Sequence, residues 1–425
     1  MDGTGMDAYS SLLVAAIALF IGFVADHFFR RFKTPDVLIL IIFGMALGPG
    51  ALGLVDMDLA SRISQVTPYV AAIALSIIMF QAGMGLHIRD VLTSFSRAML
   101  QTVVAFIISL VATALICMAV LGWGPGEALL LASILGGTSG AIVIPLVCSL
   151  GVSARTRTVL TLESTITDVL VIASTMTLVA VMATGEANLG KAAVMILTAF
   201  LVSGFIGFVG GLLWLRILSR VAGQPFAYMI TLAALLSVFA VAELAVERTG
   251  GGAVAALIFG LTLKNSDEFP QFLRDGIREY TCDAKIVNFH DEITFLVRTF
   301  FFVYLGLVLS VISLNVIHIL LGSCIFTALV LGRYISAQLI GRYIAHLEKD
   351  QRALLFMMPR GLAAAVLASI PVSAGVVSTE VGNLILGTTA VVILLSTVLA
   401  SAGALYIAHS SKRSDLLATI DGTGE

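Results

Sequence analysis

Charged residues are scarce in this sequence. Asp, Glu, Lys and Arg together account for 12% of its 425 residues, about half the share found in soluble domains. The formal net charge is −2 and no basic tract is present, so nothing indicates a nucleic acid partner. With 59% hydrophobic residues, the composition is instead typical of an all-α polytopic membrane protein surrounded by lipid. The alternating segments that a membrane β-barrel requires are missing.

Cysteines are also few, and they are scattered along the chain. They lack C-x-x-C spacing, which argues against a disulfide or metal framework and favours a role as small apolar residues. The N-terminus, M-D-G-T-G-M-D, is acidic, and the first apolar run is long enough to cross a bilayer, so no cleaved signal peptide is expected. The four cysteines are Cys117, Cys148, Cys282 and Cys324.

Thirteen apolar runs predict thirteen transmembrane helices. Lys and Arg residues are concentrated after the odd-numbered runs, so the positive-inside rule places the N-terminus outside and the C-terminus in the cytoplasm. We expect residues 1–410 to form one transmembrane domain and residues 411–425 a short cytoplasmic tail. The runs, numbered as spans 1 to 13, lie near 9–29, 36–54, 66–86, 98–121, 127–150, 157–182, 190–216, 226–246, 251–264, 291–313, 315–340, 351–373 and 381–407.

Span 6 carries two acidic residues, Glu163 and Asp168, near its middle. A carboxylate at that depth costs roughly 2.5–3.5 kcal/mol on insertion scales, so such residues usually face a protein interior or a wet cavity and handle ions or protons. Five positions along a helix turn the two side chains about 140° apart, which disfavours one shared ion. We therefore expect one carboxylate to pair with a fixed cation and the other to exchange a proton for a metal ion.

Two other spans are interrupted by helix-breaking residues near mid-depth. Span 5 contains L-G-G-T-S-G-A-I-V-I-P, and span 12 contains M-M-P-R-G. Paired breaks in corresponding parts of two halves are typical of a transporter binding site, although small residues also serve ordinary helix packing. Arg298, Arg333 and Arg360 lie inside or at the edge of spans. Arg333 is the deepest and is our predicted partner for Glu163; the alternative is an arginine that snorkels to the interface.

The longest loop, Asn265–Asp291, has mixed charge. Its apolar residues recur at roughly helical spacing between Phe269 and Tyr280, which predicts an interfacial amphipathic helix; a solvated linker is the alternative. His290 lies beside Asp291 and Glu292. This group could sense pH, but acidic residues near the start of a helix are a commoner explanation.

The chain resembles the monovalent cation:proton antiporter superfamily over almost its full length, and within it the sodium/proton antiporters of the electroneutral, NhaP-like branch. The Glu-Ser-x-x-Asn-Asp signature of the sixth helix corresponds to Glu163–Asp168, and the unwound fifth helix to Thr138–Gly140. The arginine of the eleventh helix corresponds to Arg333, and the Arg-Gly of the unwound twelfth helix to Arg360-Gly361. Two positions differ: Thr167 replaces the family's Asn, and Ser139 replaces an Asp.

The resemblance implies an antiporter that exchanges Na⁺ or Li⁺ for H⁺ by alternating access. Proton and cation would compete at Asp168, and Glu163 with Arg333 would form a structural ion pair. Two unwound helices would cross within inverted repeats. A core around spans 5, 6, 11 and 12 would move against a dimerisation scaffold. The predicted ion and proton ligands are oxygen atoms, which suit a hard cation, from Asp168, Ser164, Thr138, Thr167 and Ser139.

The same resemblance implies a homodimer in the plasma membrane of a prokaryote, without a cofactor beyond the transported ions and without enzymatic activity. A K⁺/H⁺ exchanger and a sodium-coupled carrier of organic solutes share the fold and remain alternatives. Gly137–Gly140 also fits the G-x-S-G of intramembrane serine proteases, but that chemistry needs a histidine base within reach, and the histidines lie near span ends or in loops. A channel is a further alternative, although paired helix breaks favour a carrier.

Overall fold

The structure, a computed structural model, describes residues 16–17, 19–24, 36–49, 52–53, 55, 67–184, 189–221, 227–246, 250–269, 284–310, 312, 314–344 and 348–420. All regular structure within these ranges is helical. Six of the helices are long and apolar enough to cross a bilayer, and shorter apolar helices accompany them. The all-α transmembrane architecture expected from the sequence is confirmed.

The α-helices are numbered in chain order, and a 3-10 turn, Ser266–Glu268, follows the ninth. They are α1 (Asp36–Leu47), α2 (Thr67–Met84), α3 (Ile88–Leu121), α4 (Pro125–Ile134), α5 (Gly140–Ser149), α6 (Ala154–Thr184), α7 (Leu189–Val221), α8 (Ala227–Ala245), α9 (Gly251–Lys264), α10 (Ala284–Ser310), α11 (Val316–Ile344), α12 (Glu348–Phe356), α13 (Leu362–Leu367), α14 (Ile370–Ser373) and α15 (Thr379–Ile420).

The two interrupted spans are each divided into shorter helices. Span 5 becomes α4 and α5, separated by residues 135–139, and span 12 becomes α12, α13 and α14, with residues 357–361 between the first two. Consecutive glycines weaken a helix, and proline removes a backbone donor and collides with the preceding turn. Gly136 and Gly137 account for the first break, and Pro359 with Gly361 for the second.

The helices form two bundles. In the first, α2 packs against α9 and α10, α10 against α1, and α9 against α7 and α8. In the second, α3 packs against α4, α6 and α11, α15 packs against α11 and α12, and α5 against α6. Contacts of α2 with α5 and of α6 with α7 join the bundles. The acidic span 6, which is α6, therefore lies in the second bundle, with the first bundle at its side.

The first bundle depends on glycines where α2 and α9 cross. A Cβ atom added to Gly83 would collide with the backbone of Leu257, and one added to Gly260 would collide with the backbone of Phe80. Such contact between backbones is possible only for residues without a side chain, and small residues commonly allow helices to approach in membranes. The crossing fixes α2, whose Met79 reaches the second bundle.

Some predicted boundaries are wrong. Helix α10 begins at Ala284 rather than near residue 291, because Ala284–Asp291 contains no glycine or proline that would prevent a helix. His290 thus lies inside α10. The predicted interfacial helix from Phe269 to Tyr280 lies outside the described residues, apart from Phe269. Helix α15 continues to Ile420, beyond the predicted end of span 13 near residue 407, whereas the cytoplasmic tail of residues 411–425 stays a prediction.

Candidate functional site

The two broken spans meet at their interruptions. The backbone N–H of Ser139 donates to the carbonyl oxygen of Pro359 over 2.8 Å. A Cβ atom added to Gly361 would collide with the side chain of Ser139, whose Cβ would lie only 2.6 Å away. The two breaks therefore cross in direct contact. The bond between them gives a partner to one backbone donor and one backbone acceptor that have none within a helix.

Gly361→Ala is expected to disturb this crossing. The added methyl group has no room beside Ser139, so the two breaks must separate and stretch the bond to Pro359. Overpacking of this kind typically costs about 1–3 kcal/mol. Thermal unfolding of the purified variant should show a lower midpoint, whereas Gly204→Ala, at a position where a Cβ meets nothing within 4 Å, should have a smaller effect. An unchanged midpoint for Gly361→Ala would contradict the crossing.

Asp168 lies beside the start of α5. Its side chain is 7% exposed, and its carboxylate interacts with the backbone of Gly140. The Cβ position of Gly140 is 3.5 Å from Asp168 Oδ2 and 3.4 Å from Ser164 Oγ, so both oxygen atoms face the same end of the helix. The N-terminus of α5 brings unpaired backbone N–H groups and a partial positive charge to the carboxylate.

Met79, from the first bundle, covers Asp168 and Ser164 at the start of α5 from the other side. Its side chain is fully buried, and its Cε would lie 2.6 Å from a Cβ on Gly140. The hydroxyl of Thr165 points to Met79 Sδ at 3.5 Å. The sulfur is thus turned to α6 and the methyl group to Gly140, so Met79 adds an apolar cover rather than a ligand.

Thr167 joins α6 to the first break. The backbone N–H of Thr138 donates to Thr167 Oγ1 over 3.1 Å, and the Thr167 hydroxyl lies 3.2 Å from the Thr138 carbonyl oxygen and 3.0 Å from that of Ser164. The two threonine hydroxyls are 3.2 Å apart. This side chain therefore fastens the unwound segment, and its oxygen is already engaged with protein groups.

Thr167→Val should loosen the unwound segment. The substitution keeps the shape of the side chain but leaves the buried N–H of Thr138 without an acceptor, which costs roughly 1–3 kcal/mol. Thr167→Ser retains the hydroxyl and should recover most of the loss. The midpoint of chemical unfolding, measured for the two variants in parallel, distinguishes them; equal stability of Val and Ser variants would show that the hydroxyl does not hold Thr138.

The second acid of span 6 forms an ion pair inside the second bundle. Arg333 Nη1 bonds Glu163 Oε1, and Nη2 bonds Oε2 over 3.1 Å. The side chains of both residues are at most 4% exposed. Arg333 Nε also donates to the carbonyl oxygen of Leu354 over 2.6 Å. The Arg333 guanidinium therefore joins α6, α11 and the end of α12 just before the second break.

Arg360 is the other buried arginine at the crossing. Its side chain is 3% exposed, and its backbone N–H donates to Ser396 Oγ over 2.9 Å. A small cavity lies between the arginines and the first break, on the Glu163 side of α6. It is lined by Ala105, Phe106, Ser109, Gly136, Thr138, Glu163, Thr167, Leu329, Arg333, Met358 and Arg360.

The chain has thirteen predicted spans, two crossing breaks and a buried acid surrounded by oxygen atoms. These features can be compared with those of known proteins. A family model described as "Sodium/hydrogen exchanger, transmembrane" matches residues 15–402. The chain belongs to this family. It is 28% identical over 371 residues to the K(+)/H(+) antiporter NhaP of Alkalimonas amylolytica, a match that covers 86% of this chain and 61% of that protein. The chain thus spans less than two thirds of its curated relative.

Solved structures share the fold of this chain. The sodium proton antiporter MjNhaP1 from Methanocaldococcus jannaschii at pH 8 matches with a TM-score of 0.69 and 23% identity, over 95% of this chain and 99% of that chain. A second structure of MjNhaP1, from an electron microscopy map, gives a TM-score of 0.73 and 21% identity, over 95% and 98% of the two chains. These matches show that the chain shares this fold.

The structure divides the predicted site residues into groups. Asp168 and Ser164 meet at Gly140, Thr138 and Thr167 bond each other, and Ser139 contacts Gly361 at the crossing. The sequence reasoning did not single out Met79, Ser109 or Ser396, which are also buried at the site. A methionine or a serine within an apolar span carries no signal of such a role, because both residue types are common in membrane helices.

Proposed function

We propose that this chain is a secondary active antiporter that exchanges Na⁺ or Li⁺ for H⁺ across the membrane. The observation that carries the proposal is the Asp168 carboxylate, buried in the second bundle with the Ser164 hydroxyl at the start of α5. An ionisable residue at such a depth is usually functional. Membership in the sodium/hydrogen exchanger family supports the same activity.

The proposed cation site is made of oxygen atoms. Ser164 Oγ donates its proton to the Thr161 carbonyl oxygen over 3.0 Å, so its lone pairs are free to face a cation beside Asp168. Thr138 would add its carbonyl or hydroxyl oxygen, with Ser139 and water as further ligands. Na⁺ and Li⁺ are hard cations that prefer such ligands. Thr167 would act mainly by holding Thr138 in place.

Exchange would follow from competition at Asp168. A carboxylate that binds either a proton or a cation can couple the two fluxes without a second site, because the two ligands neutralise the same charge. Alternating access would be a movement of the second bundle against the first. The apolar contact of Met79 with Gly140 lies between the bundles, so this contact must break when the second bundle moves.

Assembly and location are part of the proposal. The exposed surfaces of α3, α7 and α11 are apolar, as lipid contact requires. We propose a homodimer in the plasma membrane of a prokaryote, with the first bundle as the dimerisation scaffold. The N-terminus would lie outside and the C-terminus in the cytoplasm, since Lys and Arg residues follow the odd-numbered spans.

K⁺ is the second candidate cation. The relative from Alkalimonas amylolytica is named a K(+)/H(+) antiporter. This chain also offers one oxygen atom fewer than the family pattern, because Ser139 replaces a carboxylate, while Thr167 offers a hydroxyl in place of an amide oxygen. A site with fewer fixed oxygen ligands retains more of the ion's own water and selects less strictly among monovalent cations.

The test is reconstitution of the full chain into liposomes with an imposed pH gradient and a lumenal pH dye. Na⁺, Li⁺ or K⁺ is added outside at equal concentration and ionic strength. Collapse of the gradient by Na⁺ or Li⁺, with little response to K⁺, is the expected result. A response to K⁺ alone would favour the second candidate, and no response to any of the three from folded protein would refute antiport of these ions.

A further inference from the structure

Arg360 carries hydrogen-bond donors that the described residues do not use. Its Nε and Nη1 atoms are fully buried and have no acceptor among these residues. Arg333, by comparison, donates its two Nη groups to the carboxylate of Glu163 and its Nε to the carbonyl oxygen of Leu354. A guanidinium cannot lose its proton under ordinary conditions, and a buried charge without a partner is strongly unfavourable. Arg360 therefore needs a negatively charged or strongly polar ligand.

The local charge balance indicates what that ligand must supply. Arg333 and Glu163 are the other charged residues that line the cavity beside Arg360. Both carboxylate oxygens of Glu163 are held by Arg333, so the three residues together carry one excess positive charge. Asp168 does not line the cavity; its carboxylate faces Gly140 instead. A monovalent anion would neutralise the group, whereas water would only solvate it.

The cavity offers suitable donors around Arg360. The hydroxyl-bearing residues Ser109 and Thr138 line it together with Arg360. The other walls include the apolar side chains of Phe106, Leu329 and Met358, which would exclude a large hydrated ion. Bonds to a charged partner are shorter and stronger than neutral ones, so a small set of such donors can hold an anion out of water.

We propose that this cavity binds one small monovalent inorganic anion, chloride in ordinary salt solutions, between the Arg360 guanidinium and the hydroxyl groups of Ser109 and Thr138. The anion would be a resident ligand at the crossing of the two breaks. It would balance the excess positive charge next to Glu163 and fix Arg360, which directly precedes the Gly361 contact. The proposal concerns binding alone and does not depend on which cation is transported.

Radioactive chloride binding to the purified full chain in detergent tests this proposal. Sodium gluconate keeps the Na⁺ concentration and the ionic strength constant while chloride is varied. We expect saturable binding of one chloride per chain, displaced by bromide and not by gluconate. Arg360→Gln should reduce bound chloride to background, and Ser109→Ala should raise the dissociation constant roughly tenfold, because one hydrogen bond to a charged group is lost.

Ser94→Ala is the matched control, because Ser94 is also a buried serine of α3 but does not line the cavity; it should bind chloride as the unchanged chain does. If Arg360→Gln does not fold, Ser109→Ala against Ser94→Ala still decides the question. Absence of saturable binding by the folded chain would mean that water alone occupies the cavity and would refute the proposal. Undiminished binding by Arg360→Gln, or by Ser109→Ala, would do so as well.

Discussion

Asp168→Asn is expected to abolish proton-coupled cation transport while the protein still folds. The amide keeps the size of the side chain and can still meet the backbone of Gly140. It can no longer exchange a proton, and it lacks the negative charge that attracts a cation. Removing a charge from a buried position also removes its desolvation cost, so stability should be equal or higher.

Two measurements on the same preparation check this prediction. The pH-dye assay in proteoliposomes should show no gradient collapse by Na⁺, Li⁺ or K⁺, and thermal unfolding in detergent should show a midpoint at least as high as that of the unchanged chain. Transport at the normal rate by Asp168→Asn would mean that another group binds the cation. A large fall in the midpoint would mean that the charge of Asp168 serves the fold.

Ser164→Ala provides a graded comparison at the same site. Loss of one neutral ligand should raise the half-saturating cation concentration without abolishing transport. Ser174→Ala is its control, because Ser174 is also a serine of α6 whose hydroxyl donates to a carbonyl of the preceding turn, at 2.6 Å from Leu170, but lies well away from Gly140. An equal effect of the two substitutions would place the cation away from Ser164.

The helices and the two breaks could be predicted from the sequence because each has a local cause. Apolar runs of membrane length form helices in lipid, and the G-G and P-R-G segments interrupt them. The ends were less predictable: Ala284–Asp291 carries charges that are typical of a loop, yet it continues α10 because the neighbouring helix turns already satisfy its backbone.

The contacts within the site depend on the fold and could not be derived from local patterns. Arg298, Arg333 and Arg360 all lie in or near spans, and only the packing of α11 on the second bundle brings Arg333 to Glu163. The family pattern suggests a cation ligand at Thr167, but the hydroxyl of this side chain is bonded to Thr138. Spacing along a helix predicts on which face of the helix a residue lies, but not which atoms of other helices its side chain contacts.

Glu163→Gln is expected to destabilise the protein strongly. Arg333 would lose its counter-charge in a buried position and would lie near Arg360 with no negative group between them. Breaking a buried ion pair from one side typically costs about 3–5 kcal/mol, which is a large part of the stability of most proteins. Transport should fall along with the yield of folded protein, in contrast to Asp168→Asn.

The double variant Glu163→Gln/Arg333→Met separates charge imbalance from loss of contact. Replacing both partners of a buried pair by uncharged residues is often neutral or stabilising, so the double variant should unfold at a higher denaturant concentration than Glu163→Gln alone. Glu127→Gln, at a partly exposed position where Oε2 accepts from the N–H of Gly124 over 3.3 Å, should change stability by less than about 1 kcal/mol. If Glu163→Gln is as mild as Glu127→Gln, the pair contributes little to the fold. If the double variant is less stable than Glu163→Gln, the bond from Arg333 to the Leu354 carbonyl oxygen, rather than the charge of Glu163, holds α11 to the second break.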